Sequence, residues 1–375
     1  SHNMKFSSKS TIFITAGGTG GHMYPAESLT WELKKIGWNV ILVTDKRGKF
    51  FLNSFPPDLQ IFTQQIIPLN FKNPLKSILS IYLLSKSIIN SLCLLLLYKP
   101  NLVIGFGGYP TFPTILAAKC FGFKIILHEG NAVLGRVNKF FSKKVDAIAC
   151  SFWPTIAPIG SKIYFTGNPI RREILAKKSK PFSLPVTGKL NLVVIGGSQG
   201  ANFFSKIIPS AISKLSISLK KRIYITHQVR SSDCENLKKK YEKLDIRSNV
   251  KTFFDNIEDI FSNAHLIIAR AGASTISEGL FFGRPLILIP INNSILDHQE
   301  INAKLLSKKD AAICICEDEC TDTYLAMKIT KIFSDYKFAR KLSYNAKNMA
   351  VPQASLNLKE VIIKTSNGEK IESKN

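Results

Sequence analysis

Ala16-Gly17-Gly18-Thr19-Gly20-Gly21-His22 directly follows the apolar run Thr11–Thr15 and precedes a helical stretch. Without Cβ atoms a loop can turn tightly and bring backbone N–H groups against a phosphate at a helix N-terminus. A tight strand-to-helix turn needs only one or two glycines, so four glycines and a closing histidine point to a ligand loop. The segment is not GxGxxG, and no Gly-Lys-Ser/Thr follows, so neither the dinucleotide fingerprint nor the P-loop fits. His22 is expected at the helix start, aimed into the crevice where doubly wound sheets bind ligands. Imidazole titrates near working pH, which makes His22 the candidate general base. Gly105-Phe106-Gly107-Gly108-Tyr109-Pro110 and His128-Glu129-Gly130-Asn131 stand after two further strand-like runs. Each alone would be an ordinary connection, but three such loops at one sheet edge make a site.

The second half repeats the device. Gly196-Gly197-Ser198-Gln199-Gly200 follows Leu190–Ile195, and Ser198 could add a hydroxyl donor to a phosphate held by backbone N–H groups. Arg270-Ala-Gly-Ala-Ser-Thr275-Ile-Ser-Glu278 follows another strand, with Glu278 one helical turn beyond Thr275. A carboxylate there suits a bidentate grip on vicinal ribose hydroxyls. Taken alone, however, the segment reads better as a helix cap with an acidic first turn. Asp297-His298-Gln299, ahead of Asn302-Ala303, opens a further helix with side chains able to read sugar hydroxyls.

These loops need a scaffold, and the hydrophobic pattern supplies one. Strands are expected at Thr11–Thr15, Asn39–Thr44, Asn101–Gly105, Lys124–Leu127 and Val145–Ala149. A second series runs through Leu190–Ile195, Arg222–Thr226, Val250–Phe253, Leu266–Ala269 and Leu286–Ile289. Two strand–glycine–helix openings, each starting an alternating series, predict an α/β chain of two Rossmann-like, doubly wound domains. The expected divisions are 1–3 as tag remnant, 4–168, 169–348, and 349–375 as a last helix and tail. That helix would cross back to the first domain after a break at Pro352. The Lys-, Ser- and Pro-rich stretch Lys177–Lys189 reads as a linker.

Composition narrows the partners. Lys and Arg number 51 against 26 Asp and Glu, a net charge of +25. This field attracts polyanions, but no zinc finger, RNP-like motif or Arg-rich recognition helix is present, so nucleic acid is not expected. An anionic membrane surface and phosphorylated substrates remain. Seven scattered cysteines argue against a disulfide framework. Cys314, Cys316 and Cys320 match no zinc spacing; with Ala311–Cys316 read as a buried strand, they are expected to be buried free thiols. No DxD-like pair lies at a strand end, so neither metal nor cofactor is expected. Ser1–Asn3 look like a tag remnant, and the missing secretory signal predicts a cytoplasmic protein. The apolar stretch Ile78–Tyr98 contains Lys86 and several Ser and Asn residues, which favours a core helix over a membrane span. Its start, Asn70–Ser85, mixes Lys72 and Lys76 with Phe71, Leu75, Leu79 and Tyr82, as for partial contact with a headgroup layer.

GGTGGH at 17–22, GFGGY at 105–109, HEGN at 128–131, GNPIR at 167–171, GGSQG at 196–200, RAGASTISE at 270–278 and DHQ at 297–299 resemble the MurG family in order and spacing. Gly130, where Gln is frequent, and Phe254, in place of an aliphatic residue, depart from the family's commonest pattern. The resemblance implies a GT-B enzyme whose two domains face each other across a cleft. It implies transfer of GlcNAc from UDP-GlcNAc, with inversion, to the C4 hydroxyl of the muramyl lipid known as lipid I, forming lipid II. Donor contacts are implied at Thr19, Gly20, Gly21, Asn131, Arg171, Ser198, the Phe254 backbone, Ala273, Ser274, Thr275, Ile276, Ser277, Glu278 and Gln299. Acceptor contacts are implied at Gly18, His22, Tyr109, Glu129 and Asn138. The implied location is peripheral, on the cytoplasmic face of the bacterial inner membrane, with cell-wall or division proteins as further partners. A UDP-GlcNAc 2-epimerase, another GT-B transferase and a non-catalytic membrane scaffold are the competing readings.

Overall fold

The computed structural model describes residues 9–69, 72–196, 201–292 and 297–372. The chain divides into two compact units, 1–171 with 351–375, and 172–350.

The first unit is built on β1 (Thr11–Thr15), β2 (Asn39–Asp45), β3 (Gln60–Gln64), β4 (Leu102–Gly105), β5 (Ile125–Glu129), β6 (Ala147–Cys150) and β7 (Ile163–Phe165). They form one parallel sheet in the order β3-β2-β1-β4-β5-β6-β7. Runs such as Thr-Ile-Phe-Ile-Thr are apolar on both pleat faces because helices cover both sides. One layer of core packs Ile12, Ile14, Leu29 and Leu33 with Leu358 and Ile362 of the last helix, Ala354–Ser366. The other packs Phe13, Val103, Ile115 and Leu127. Ser28 and Ser355 share a 2.7 Å hydroxyl hydrogen bond where the last helix meets the helix Gly20–Lys35. Order reverses beside β1, and Thr15 pairs with both Val43 and Gly105, so the following loops leave from one sheet edge.

The second unit holds β8 (Leu190–Ile195), β9 (Ile223–Gln228), β10 (Arg247–Lys251), β11 (Leu266–Ala269), β12 (Leu286–Leu288) and β13 (Ile313–Cys314), ordered β10-β9-β8-β11-β12-β13. Ala269 aligns with Ile195 and Leu288, giving this sheet its own common loop edge.

Several expectations need correction. β3 and β7 lack a sequence signal, since β3 is an exposed edge with little alternation and β7 has only three residues. β10 starts earlier than expected, leaving Phe253 exposed outside it. The stretch read as a linker is tied to the second core through buried Leu184 and through Phe182 packed against it. The strand at Ala311–Cys316 shrinks to two residues; Cys320 is buried, but Cys314 and Cys316 are half-exposed.

The largest correction concerns the helix Pro74–Tyr98, which joins the core only through its C-terminal half, where Leu95 is buried and Ile88, Leu92, Leu94 and Tyr98 pack against the sheet's core. Its buried residues are Ser80, Ser87, Ser91 and Leu95, while Leu75, Ile78, Leu79, Ile81, Tyr82, Ile89, Leu96 and Leu97 are exposed. The inner face is held by hydrogen bonds: Ser80 Oγ donates to the Lys76 and Pro68 carbonyls, Ser87 Oγ to the Gln65 carbonyl, and Gln64 Nε2 to Ser91 Oγ at 2.6 Å. Ser91 also meets Thr114. Composition shows an apolar helix; only the packing shows that its polar side faces inward.

Candidate active site

In the first unit the chain leaves β1 through Ala16–Thr19 and enters the helix at Gly20, with Thr19 as an extended N-cap making no side-chain cap. His22 lies in the first turn, half-buried, its Nδ1 3.1 Å from the Gly17 carbonyl oxygen. A carbonyl only accepts, so this contact puts the proton on Nδ1 and makes Nε2 the proton-accepting nitrogen. The ring lies beside the second glycine loop, where Gly107 and Gly108 both have φ +84°. A Cβ on Gly107 would stand 3.8 Å from His22 Nε2. Gly17 is enclosed as well, since a Cβ there would meet Asp45 Oδ1 and Pro110 Cβ, each at 2.8 Å.

The third loop is organised from inside. Glu129 accepts from Gly135 N at 2.7 Å, Asn131 N at 3.1 Å and Asn138 Nδ2 at 3.2 Å. Asn138 Nδ2 also donates to the His128 carbonyl. Burial pushes the Glu129 carboxyl up despite these donors. His128 contacts Ser151 Oγ, which donates to Asn168 Oδ1. Burial, with His22 second, pushes His128 down to about 3, which keeps it neutral. The Tyr109 hydroxyl is buried and has no hydrogen-bond partner among the described residues, and burial raises its pKa.

In the second unit, Gly272 is the extended N-cap of the helix Ala273–Phe282, and no side chain caps it. A run of small residues therefore opens a helix at a strand end with its first turn uncovered, a geometry that accepts an anion. Ser274 Oγ is buried and without a partner among the described residues. Gln299, on the helix His298–Lys308, accepts the Ile291 N–H at 3.1 Å through Oε1 and so holds the loop after β12. Arg270 Nη1 donates to the Ile289 and Pro290 carbonyls and to Glu317 Oε2 at 3.2 Å. Its guanidinium also lies 4.7 Å from the Phe204 ring centroid.

Residues 12–150 match the glycosyltransferase family 28 N-terminal domain, and residues 191–358 match the glycosyltransferase family 28 C-terminal domain. The chain is 37% identical over 364 residues to a UDP-N-acetylglucosamine--N-acetylmuramyl-(pentapeptide) pyrophosphoryl-undecaprenol N-acetylglucosamine transferase of Sinorhizobium fredii, covering 97% of each. It is 41% identical to the enzyme of that name from Sinorhizobium medicae, covering 87% of this chain and 88% of the relative. The chain belongs to glycosyltransferase family 28. Among solved structures, Acinetobacter baumannii MurG superposes with a TM-score of 0.77 at 25% identity, over 95% of this chain and 99% of that one. A Listeria monocytogenes protein described as a putative UDP-N-acetylglucosamine 2-epimerase superposes at 0.68 with 12% identity, over 97% and 98%, a likeness of fold alone.

Within this glycosyltransferase the first unit brings Gly18, Thr19, Gly20, Gly21, His22, Tyr109 and the 128–138 loop to one edge. Glu129 and Asn138, expected to touch an acceptor, have buried side chains engaged within their own loop, because the turn after β5 needs acceptors and donors inside it. Arg171 is the last residue of the first unit and stacks on Tyr24, 4.6 Å from the ring centroid. In the second unit, Ala273, Ser274, Thr275 and Ser277 are half-buried at the helix start, whereas the Ile276 side chain lies wholly in the core. Glu278 is buried beyond the first turn, which holds no acidic residue, so the acidic-first-turn reading fails. The Phe254 side chain is buried, leaving its backbone as the group to offer. Asn302 is buried and donates to the Ala271 carbonyl, so it supports the loop from below. Ser198 falls at 197–200, outside the described residues.

Two residues were missed. Asp45 closes β2 against the first glycine loop, and its only signal was an aspartate at the end of an apolar strand. Arg270 stood inside a recognised motif, but nothing local indicated that it ties the ends of β11 and β12 together.

Proposed function

We propose that this glycosyltransferase moves N-acetylglucosamine from UDP-N-acetylglucosamine to the C4 hydroxyl of undecaprenyl-diphosphate-linked N-acetylmuramyl-pentapeptide, forming the β-linked disaccharide lipid by a single inverting displacement. Relatives matching along nearly the whole chain carry the donor, the acceptor and the transferred sugar in their names. The observation that carries the chemistry is His22, whose Nδ1 is committed to the Gly17 carbonyl while Nε2 faces the Gly107–Gly108 loop. As the acceptor oxygen bonds to the anomeric carbon, its proton passes to Nε2. The bond from that carbon to the β-phosphate oxygen breaks, and UDP leaves with the electron pair.

The charge growing on the diphosphate would be met by helix N-termini, by Ser198 and by Arg171. Ala273–Glu278, the Phe254 backbone and Gln299 would hold nucleotide and sugar, with Thr19–Gly21 and Asn131 completing the donor contacts. Gly18, His22 and Tyr109 would receive the acceptor. Glu129 and Asn138 would position the third loop instead of touching substrate.

An acceptor with a polyprenyl tail keeps its enzyme at a bilayer, and the reading extends to a peripheral position on the cytoplasmic face of the inner membrane. The helix Pro74–Tyr98 is long and apolar enough to cross a membrane by length and composition. Its inward serines are bonded to neighbouring elements, however, which favours an in-plane helix offering its apolar side to lipid.

The decisive measurement is UDP release from UDP-N-acetylglucosamine with and without a soluble lipid I analogue. Acceptor-dependent release that falls about a hundredfold or more in His22→Ala is expected. Release of an epimerised sugar without acceptor would replace this reading with an epimerase.

A further inference from the structure

The Gly17–Gly18 peptide is gripped at both ends. Its carbonyl oxygen, on Gly17, receives His22 Nδ1 at 3.1 Å. Its N–H, on Gly18, donates to Asp45 Oδ1 at 2.9 Å. Both groups belong to one planar unit in which N–H and C=O point in opposite directions, so carboxylate and imidazole lie on opposite sides of a single amide. Asp45 is only 8% exposed. The same Oδ1 also accepts the Gly48 N–H at 2.8 Å, and Oδ2 lies 3.5 Å from Arg47 Nε. Gly18 has φ +83°, a conformation glycine adopts readily, and this allows the peptide to face both partners.

We propose that Asp45 is a positioning residue for the His22 base, acting through the Gly17–Gly18 amide as a carboxylate–peptide–imidazole relay. The proposal rests on His22 being the base. A carboxylate on the N–H end polarises the amide and makes the Gly17 oxygen a stronger acceptor, because hydrogen bonds in a chain reinforce one another. The stronger contact holds Nδ1–H in place, raises the basicity of Nε2 and stabilises the imidazolium formed as the acceptor loses its proton. The logic is that of the third member of a hydrolytic triad, with a peptide inserted between acid and base. Among the described residues, the charged or titratable groups near His22 include buried, neutral His128 with Glu129 at the end of β5, Tyr109 beside Gly108, and Arg47 paired with Asp45.

Asp45→Asn tests the relay, because the amide oxygen can still accept from Gly18 and Gly48 while the charge is lost. We expect kcat to fall by about tenfold with the KM for UDP-N-acetylglucosamine unchanged within about twofold. A weaker base loses its proton at lower pH, so the rising limb of the pH–rate profile should move to lower pH. In a His22→Ala background, Asp45→Asn should cost no more than about a further twofold, since coupled residues are not additive. Wild-type kcat and pH profile in Asp45→Asn, with His22→Ala impaired, would overturn the relay and leave the base standing. An equal loss in both backgrounds would also overturn it, by showing that Asp45 acts elsewhere. Full turnover in His22→Ala would instead remove the base itself, and the relay with it.

Discussion

His22 Cε1 lies 3.0 Å from the point where a β-carbon on Gly108 would stand, so the imidazole and the second glycine loop share one packed space. Gly108→Ala should therefore displace the imidazole as well as strain a backbone held at φ +84°. Turnover should fall about tenfold or more with little change in donor KM, since a small misplacement of a reacting group is costly. Gly122→Ala supplies the control, because Gly122 has φ +74° but nothing within 4 Å of its Cβ position. It should lower the unfolding temperature without lowering kcat. Equal kcat losses in both variants would show that backbone strain alone was being measured.

Membrane contact is expected from the outer side of the helix Pro74–Tyr98. Replacing Leu75, Ile78 and Tyr82, exposed by 78%, 64% and 61%, with glutamate should reduce co-sedimentation with anionic vesicles at least tenfold. An exposed apolar side chain moved into lipid gains about 1.5–3 kcal/mol, so three replacements exceed that threshold. Turnover of a short-chain soluble acceptor should be unaffected. Wild-type binding should also weaken when salt is raised or anionic lipid is left out, as the basic surplus is screened. Vesicle binding by the triple variant equal to wild type would move the membrane surface elsewhere on the molecule.

Acidification should destabilise the fold before carboxylates titrate. Burial holds both His128 and His227 at about 3 in the folded chain, against about 6.5 in an unfolded one. Near pH 7 both imidazoles are neutral in both states. As pH falls below about 6.5 the unfolded chain takes up protons that the folded chain refuses, so stability present above that pH is lost towards pH 3. By pH 5 the loss is about 2 kcal/mol for each histidine. Glu129, raised by burial, offsets part of this by taking up its own proton more readily when folded. Urea unfolding at pH 7 and pH 5 measures the difference, which should shrink by about 2 kcal/mol in His227→Gln. Identical unfolding free energies at the two pH values would contradict burial of neutral imidazoles.

Local pattern alone determined the first strand–glycine–helix opening, the parallel runs Thr11–Thr15, Leu190–Ile195 and Leu266–Ala269, and the helix Tyr336–Met349. Those features depend on periodicity and on residues without Cβ atoms, both local properties of the chain. The motifs also marked His22 and the loops around it. Tertiary structure decided what each polar group faces. Glu129, from the HEGN motif, and Asn138, from the family resemblance, are bonded to each other within their own loop, with Asn138 Oδ1 left without a partner among the described residues. Asp45, 28 residues after Gly17 in sequence, reaches the peptide that orients His22. Arg270 links two strand ends, and a helix with an apolar composition turns its serines inward. Hydrogen-bond partners far apart in sequence exist only after the strands are ordered, so no local window could display them. The order β3-β2-β1-β4 brings the ends of β1, β2 and β4 together, and with them Gly17, Asp45 and Gly107.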